Sequence, residues 1–142
     1  MKKNAILMAL LLTFLIGMES CAGETTSIVS PQVEMQVNPQ GIATKAPRFS
    51  WQIRSPLPNL VQQSYQIQVA GSEKDLKQGK NLIWDSGIVT SSESIQIPYE
   101  GQDLISGSEY FWRVSVVTNK DETGWSNINK WSMALLNESD WQ

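Results

Sequence analysis

Acidic side chains beside turns are the first candidates for chemistry in this sequence. Two carboxyl groups can act as general acid and general base when the pKa of one is raised. The candidates are Asp85, Glu93, Glu100, Asp103 and Glu109. All five lie in or beside turn segments, where carboxylates are usually solvated at the surface. We therefore predict that none of them is catalytic.

Residue types that other mechanisms require are missing. The sequence contains no histidine and a single cysteine, so it has no Ser-His-Asp triad, Cys-His pair or histidine-ligated metal site. It also has no glycine-rich phosphate loop. Residues 121–122 (Asp-Glu) form a short acidic turn, which is weak grounds for a calcium site. We predict no catalytic residue, no cofactor and no metal.

The single cysteine, Cys21, follows an export signal. Lys2 and Lys3 precede an uncharged apolar run over residues 5–18, shorter than the roughly 20 residues of a membrane-spanning helix. Small residues flank Cys21, as at the cleavage site of a bacterial lipoprotein. We predict a signal peptide over residues 1–20, lipidation at Cys21, and an anchored protein of the bacterial periplasm, outer membrane or cell surface. The alternative is an unpaired cysteine near an ordinary cleavage site.

Length and charge limit the remaining possibilities. The chain has 142 residues, which suits one folded domain after removal of the signal. Its 11 basic and 14 acidic side chains give a net charge of −3. Nucleic-acid binding needs clustered Lys and Arg to neutralise phosphates, so we predict no nucleic-acid partner. Contact with a membrane is expected through the lipid anchor only.

Short segments of alternating apolar residues predict β-strands along the rest of the chain. Residues 21–32 are small and polar and suggest a flexible tether, so we expect order to begin near Val33. Turn residues separate the segments, and only residues 72–78 could form a helical turn. The predicted strands cover residues 33–37, 49–53, 65–69, 82–84 with 87–89, 95–97, 110–116 and 131–135. This pattern is typical of an all-β protein, a seven-stranded antiparallel β-sandwich.

Five of the six tryptophans divide into two groups by their positions in this pattern, and the sixth, Trp131, begins the last predicted strand. Trp51 and Trp112 are in phase with apolar neighbours and are predicted to fill the core. Trp84 and Trp125 lie near turns, and Trp141 lies close to the end of the sequence. We treat these three as possible contacts for a sugar or for another domain, with ordinary packing as the alternative.

Residues 104–114 add a signature of the fold. Leu104 precedes, by six residues, Tyr110 at the start of an alternating strand. This is the layout of a tyrosine corner, in which the phenol hydroxyl hydrogen-bonds the backbone of the preceding turn. We assign Leu104 and Tyr110 structural roles. The fold resembles the fibronectin type III and immunoglobulin-like sandwich, predicted here over residues 33–138.

Five segments resemble, in order and spacing, the first sandwich domain of bacterial α-L-rhamnosidases. They are NPQGI (38–42), PRFSWQI (47–53), QSYQIQVA (63–70), LIWDSGIV (82–89) and YFWRV (110–114). The resemblance implies further β domains and a helical barrel, which carries the carboxylates that cleave terminal α-L-rhamnosides. It also implies that residues 139–142 start a linker to the next domain and that the chain is a fragment ending before the barrel.

Three functional hypotheses follow. The first is a non-catalytic accessory and structural module of a rhamnosidase-like glycoside hydrolase, whose partners are the adjacent domains. The alternative is a stand-alone surface lipoprotein that binds plant or bacterial glycans containing rhamnose. The third, glycoside hydrolysis by this chain alone, conflicts with the missing carboxyl pair, which inverting glycosidases place roughly 6.5–9.5 Å apart. We predict no activity for the chain alone.

Overall fold

A computed structural model of the chain describes residues 25–141. The signal peptide and Cys21 predicted above lie outside the described residues. Within these residues, eight strands, one short α-helix and a 3₁₀ helix follow one another in this order: β1 (Ser27–Val33), β2 (Arg48–Arg54), β3 (Gln62–Ala70), α1 (Glu73–Gln78), β4 (Leu82–Asp85), β5 (Val89–Thr90), β6 (Ile97–Pro98), β7 (Glu109–Thr118), β8 (Asn129–Ser132) and the 3₁₀ helix Glu138–Trp141.

The strands form two antiparallel sheets. The smaller sheet has the order β1-β2-β6, and the larger one has the order β4-β3-β7-β8, with β5 also paired to β3. The two long strands β3 and β7 are adjacent, and Gln68 lies opposite Arg113 in their register. The prediction of an all-β antiparallel sandwich is confirmed.

The core between the sheets is built on aromatic rings. Phe49 of β2 contacts Trp112 of β7 and Trp131 of β8, with ring centroids 4.7 and 5.6 Å apart. Trp51, on the same face of β2 as Phe49, packs edge-on against Tyr65, and its indole N–H donates to the side-chain oxygen of Gln62 at 3.0 Å. Aromatic pairs in these geometries stabilise a core beyond the area they bury.

The tyrosine-corner residues lie as their spacing suggests. Tyr110 starts the alternation of β7, and its hydroxyl oxygen accepts a hydrogen bond from the backbone N–H of Ile105 at 2.8 Å. Leu104 is buried in the core beside it. This bond holds the 105–108 turn against the strand that follows.

The short helix α1 confirms the helical turn predicted at residues 72–78. Ser72 caps it, since its hydroxyl oxygen accepts from the backbone N–H of Asp75 at 3.1 Å, and Gly79 ends it in the left-handed conformation. Leu76 is fully buried. Within residues 25–141, no helix is long and apolar enough to cross a membrane.

Order begins earlier than the sequence pattern predicts. The tether prediction is wrong for residues 27–32, which belong to β1 and pair with β2. Alternation is interrupted there because the register shifts between Val29 and Gln32, with Ser30 at a φ of 51°. Pro31 is tolerated because β1 is an edge strand, where a missing N–H need not break a ladder.

The predicted strand over residues 33–37 is also wrong. Glu34 and Met35 have φ values of 48° and 61°, and Val33 exchanges backbone hydrogen bonds with Gln36, so the chain reverses in a tight turn. The Glu34 carboxylate accepts from the backbone N–H and the guanidinium of Arg48, both at 2.8 Å. These bonds hold the turn against β2. The alternation of apolar residues gives no sign of such polar contacts, so it predicted a strand here.

Two further details differ from the predictions. The predicted strand over residues 82–84 with 87–89 is two strands, β4 and β5, with Gly87 between them at a left-handed φ of 61°, so residues 25–141 contain eight strands. The predicted linker start at residues 139–142 is, over Glu138–Trp141, a 3₁₀ helix. It is held to the body by a hydrogen bond from the Ser106 hydroxyl to the Asp140 carboxylate.

Candidate functional site

The acidic residues considered for catalysis are spread over the exposed surface. They are Asp85, Glu93, Glu100, Asp103 and Glu109. Glu109 forms an ion pair with Lys130 at 2.9 Å, and Asp85 is bound by neighbouring amides. Elsewhere, hydrogen bonds from Ser72 and Ser106 lower the pKa values of Asp75 and Asp140. A general acid needs the opposite, a raised carboxyl pKa.

Clusters that could hold a metal are also missing from the described part of the chain. Residues 25–141 contain no group of three or more Asp, Glu, His or Cys side chains arranged for a metal ion. The Asp121 carboxylate and backbone oxygen instead accept from the Thr118 hydroxyl, both at 2.8 Å. These bonds close the turn after β7.

The two tryptophans assigned to the core are deeply buried. Trp51 is 2% exposed and Trp112 is 1% exposed. Both point between the sheets, and neither indole can meet a ligand in solution. Together with Leu104 and Tyr110 they belong to one contiguous core cluster.

Trp84 also packs toward the core, although it is only half-buried. Its ring stacks on Phe49 at 5.8 Å and meets Tyr99 edge-on at 5.2 Å. Burial raises the pKa of Tyr99 to about 12, and its hydroxyl donates to the backbone oxygen of Gln102 at 2.7 Å. Gly101 passes so close that a Cβ there would lie 2.5 Å from the Trp84 Cβ. Trp84 is therefore a packing residue with one exposed edge.

Trp125 lies on the opposite, outer face of the larger sheet. It is 38% exposed, and the Arg113 guanidinium carbon lies 4.3 Å from its ring centroid. The loop that carries it is fastened to the free edge of β7, where Ser126 and Val114 exchange bonds of 2.8 and 3.1 Å. A cation over the face of an indole is attractive, so this contact favours the observed orientation of the ring.

A row of hydrogen bonds continues from Arg113 across the outer face. Arg113 donates from Nε and Nη2 to the side-chain oxygen of Gln68, at 3.1 and 2.8 Å. Gln68 donates in turn to the Asp85 carboxylate at 2.9 Å, and Gln66 donates to its other oxygen at 2.8 Å. We call Trp125, Arg113, Gln68 and Asp85 the outer row.

Burial and hydrogen bonding act in opposite directions on the charges of the outer row. Burial raises the pKa of Asp85, but the hydrogen bonds from Gln66, Gln68 and the Gly87 backbone outweigh it, so the pKa is lower than usual. Burial lowers the pKa of Arg113, which Asp85 partly offsets. Both groups stay charged at neutral pH, and the row has no net charge.

Trp141 forms part of a different surface, near the tyrosine corner. It is 73% exposed, and Ile105 and Leu135 are exposed as well. Ser106 links the three, because it follows Ile105, donates to Asp140 beside Trp141, and accepts from the N–H of Leu136 at 3.0 Å. We call Ile105, Leu135 and Trp141 the C-terminal surface.

The three tryptophans proposed from the sequence as contacts therefore do not form one site. Trp84 packs inward, Trp125 lies on the outer face, and Trp141 lies at the C-terminal surface. Sequence reasoning missed Arg113, which lies over the Trp125 ring, and Gln68, which accepts hydrogen bonds from Arg113. Their signal was available, because they occupy the outward positions of the two longest strands, although their pairing depends on the register of β3 with β7.

Comparison with known proteins identifies relatives of the whole sandwich. Residues 28–137 match the family described as Rha78A-like, N-terminal immunoglobulin domain. An α-L-rhamnosidase of Formosa agariphila is 32% identical over 137 residues, which cover 92% of this chain and 15% of that protein. The chain thus spans about 15% of the length of this curated relative.

Solved structures agree. The α-L-rhamnosidase of Streptomyces avermitilis, solved with L-rhamnose, superposes with a TM-score of 0.78 and 34% identity over 83% of this chain and 11% of that one. The α-L-rhamnosidase of Dictyoglumus thermophilum gives a TM-score of 0.78 and 36% identity over 82% of this chain and 13% of that one. The chain belongs to the family of Rha78A-like N-terminal immunoglobulin domains.

Proposed function

We propose that this chain is a non-catalytic accessory module of an α-L-rhamnosidase-type glycoside hydrolase. One observation carries the proposal: the family match covers residues 28–137, almost the whole sandwich, yet this is a small fraction of each matched enzyme. The part that matches is an N-terminal immunoglobulin domain. Hydrolysis of α-L-rhamnosides is accordingly assigned to other domains of such an enzyme.

The side chains of the chain support a structural role. Among residues 25–141, the acidic side chains are exposed or form hydrogen bonds that hold turns and strands, and most tryptophans pack between the sheets. Retaining and inverting glycosidases use two carboxyl groups flanking the scissile bond, and one of these two groups must stay protonated to act as the general acid. The lowered pKa values of Asp75, Asp85 and Asp140 hold these carboxyls ionised.

The C-terminal surface is the proposed contact with adjacent domains. Ile105, Leu135 and Trp141 expose apolar area, and the Ser106–Asp140 hydrogen bond at 2.5 Å holds the 3₁₀ helix in place. Apolar and aromatic side chains of this kind form the buried centres of protein interfaces. A domain that follows residue 141 in a longer enzyme would start beside this surface.

A domain exchange in the Formosa agariphila α-L-rhamnosidase tests the proposal. Three enzymes are compared: the parent, a deletion of its homologous segment, and a chimera carrying residues 27–141 of this chain. We expect the chimera to regain most of the melting temperature lost on deletion, with kcat close to the parent value. A chimera no more stable than the deletion would contradict the proposal.

A matched variant locates the contact. Leu135→Ser with Trp141→Ser in the chimera should remove the recovered stability, because polar side chains cannot form the apolar centre of the interface. Trp125→Ser is the control, since it changes an exposed indole outside the C-terminal surface. If the two chimeras melted alike, adjacent domains would not bind at residues 135 and 141.

We also propose that the module is exported and anchored through a lipid on Cys21. The charged start, the apolar residues 5–18 and the small residues around Cys21 support this. Metabolic labelling with an alkyne fatty acid should mark the chain and place it in the membrane fraction. Cys21→Ser should abolish both, and unchanged labelling of that variant would contradict the anchor.

A further inference from the structure

The indole of Trp125 is exposed, and its neighbours favour one orientation of the ring. Arg113 lies over its ring at 4.3 Å, and the backbone of its loop is bonded to β7 at Val114 and Val116. Ordering the ring costs a ligand that packs on it less, because the Arg113 contact and the bonded loop already favour one orientation. Rigid aromatic groups on fixed loops are effective contact residues for this reason.

Hydrogen-bonding capacity remains free beside the indole. Arg113 has five N–H donors, of which Nε and one on Nη2 are used by Gln68. Its other donors have no partner within residues 25–141. The Asp85 carboxylate accepts from Gln66, Gln68 and Gly87 and still has an exposed side. The outer row thus offers donors beside an aromatic ring and an acceptor two strands away on the same face.

A crevice of about 360 Å³ adjoins Trp125. It separates the start of β1 from the 123–127 loop, and its polar lining includes Ser27 and Asn127. The side chains of these two residues have no hydrogen-bond partner in the described part of the chain, although Asn127 uses its backbone oxygen. A ligand lying on Trp125 would therefore meet free polar groups on this side also.

The chemistry of this surface selects a class of ligand. Arg113 and Asp85 cancel in charge, so the row does not favour an anion. A sugar ring combines an apolar C–H face, which packs on an indole, with hydroxyls that donate and accept hydrogen bonds. Neutral, hydroxyl-rich molecules therefore match the surface better than a peptide, whose backbone has no hydroxyl groups.

We propose that Trp125, the Arg113–Gln68–Asp85 row and the adjoining crevice form a shallow binding site for neutral glycans. This site goes beyond the accessory role proposed above, and only the use of rhamnosides as first probes depends on that role. Accessory modules with such a site would hold a glycan near the catalytic domain of the same enzyme.

Nuclear magnetic resonance of the folded chain tests the site directly. The six indole N–H signals are followed while L-rhamnose, a neutral rhamnose-containing oligosaccharide, a neutral oligosaccharide without rhamnose and an anionic oligosaccharide are added in turn. We expect a neutral oligosaccharide to shift the Trp125 signal and to leave that of Trp51, which is buried against Gln62, unchanged.

Variants separate binding from folding. Trp125→Ala should weaken glycan binding about tenfold or more, Trp125→Phe should retain part of it, and Trp141→Ala should bind like the parent. Trp125→Phe keeps an aromatic ring under Arg113, so it reports on the site even if Trp125→Ala fails to fold. Loss of binding in Trp141→Ala equal to that in Trp125→Ala would overturn the assignment.

Two other outcomes overturn the proposal. One is the absence of any shift at Trp125 with all four probes, and the other is a shift with the anionic oligosaccharide alone. Neither outcome affects the domain exchange, because that experiment measures the melting temperature of the chimera, which depends on contacts of the C-terminal surface. Failure of the glycan site and failure of the accessory role are thus distinguishable.

Discussion

The two faces of β7 show how one strand divides its residues between stability and surface chemistry. Its inward residues, such as Trp112, Val114 and Val116, are almost fully buried between the sheets, whereas outward residues such as Phe111, Arg113 and Ser115 keep partial exposure. Side chains alternate across a strand, so neighbouring positions have opposite surroundings. Whether a residue of β7 stabilises the core or contributes to the surface therefore depends on the face of the strand on which it lies, as well as on its type.

Two tryptophans, Trp112 and Trp125, illustrate the difference between the two faces. Trp112 packs against Phe49 inside the sandwich, and Trp125 packs against Arg113 outside it. Removal of the first leaves a cavity, while removal of the second exposes a guanidinium to water. The comparison predicts a large cost in stability on one face and a small one on the other.

The largest expected effect is that of Trp112→Ala. Loss of this buried ring should lower the free energy of unfolding by about 3–5 kcal/mol. The control, Trp125→Ala, should cost about 0.5–1 kcal/mol, since it removes only an exposed cation–π contact. Urea unfolding followed by circular dichroism measures both free energies, and equal losses would show that the two tryptophans contribute equally to stability.

Close packing at the edge of the core gives the second prediction. Gly101→Ala should destabilise the fold by about 1–3 kcal/mol, because the new methyl would overlap the Trp84 Cβ and the Tyr99 ring. Gly124→Ala, in the outer loop, has no atom within 4 Å of its Cβ and should stay within about 0.5 kcal/mol of the parent. Thermal unfolding of the two variants should separate them, and a stable Gly101→Ala would count against this packing.

The tyrosine corner gives a smaller effect. Tyr110→Phe removes the acceptor of the Ile105 N–H and should cost about 0.5–1.5 kcal/mol. Tyr65→Phe is a matched control, because the Tyr65 hydroxyl has no hydrogen-bond partner among residues 25–141. Chemical unfolding should show the larger loss for Tyr110→Phe, and the reverse order would show that the bond contributes little.

The smallest effect concerns pH and the outer face. The pKa of Asp85 is lower in the folded state, so its contribution to stability is present above the ordinary pKa of about 4 and declines as the pH falls through the folded value. Asp85→Asn should therefore lose less stability than the parent between neutral pH and about pH 3. Urea midpoints at the two pH values measure this, and identical losses would show that Asp85 does not contribute.

The sequence predicted the long strands better than the short connections. Alternation is sustained over residues 65–69 of β3 and 110–116 of β7, so the inward set, including Trp112, could be read directly. At residues 33–37 the same alternation misled, because it does not reveal the left-handed backbone of Glu34 and Met35. The pairing of Gln68 with Arg113 could not be read either, since it depends on the register between strands far apart in sequence.

An assay of the purified full chain with an aryl α-L-rhamnoside shows directly whether the sandwich has catalytic activity. Because the chain is proposed to be a non-catalytic module, we predict that rhamnose is released no faster than in buffer. Release in proportion to the concentration of the chain, abolished by Asp85→Asn or Glu100→Gln, would show that the chain is itself a glycosidase.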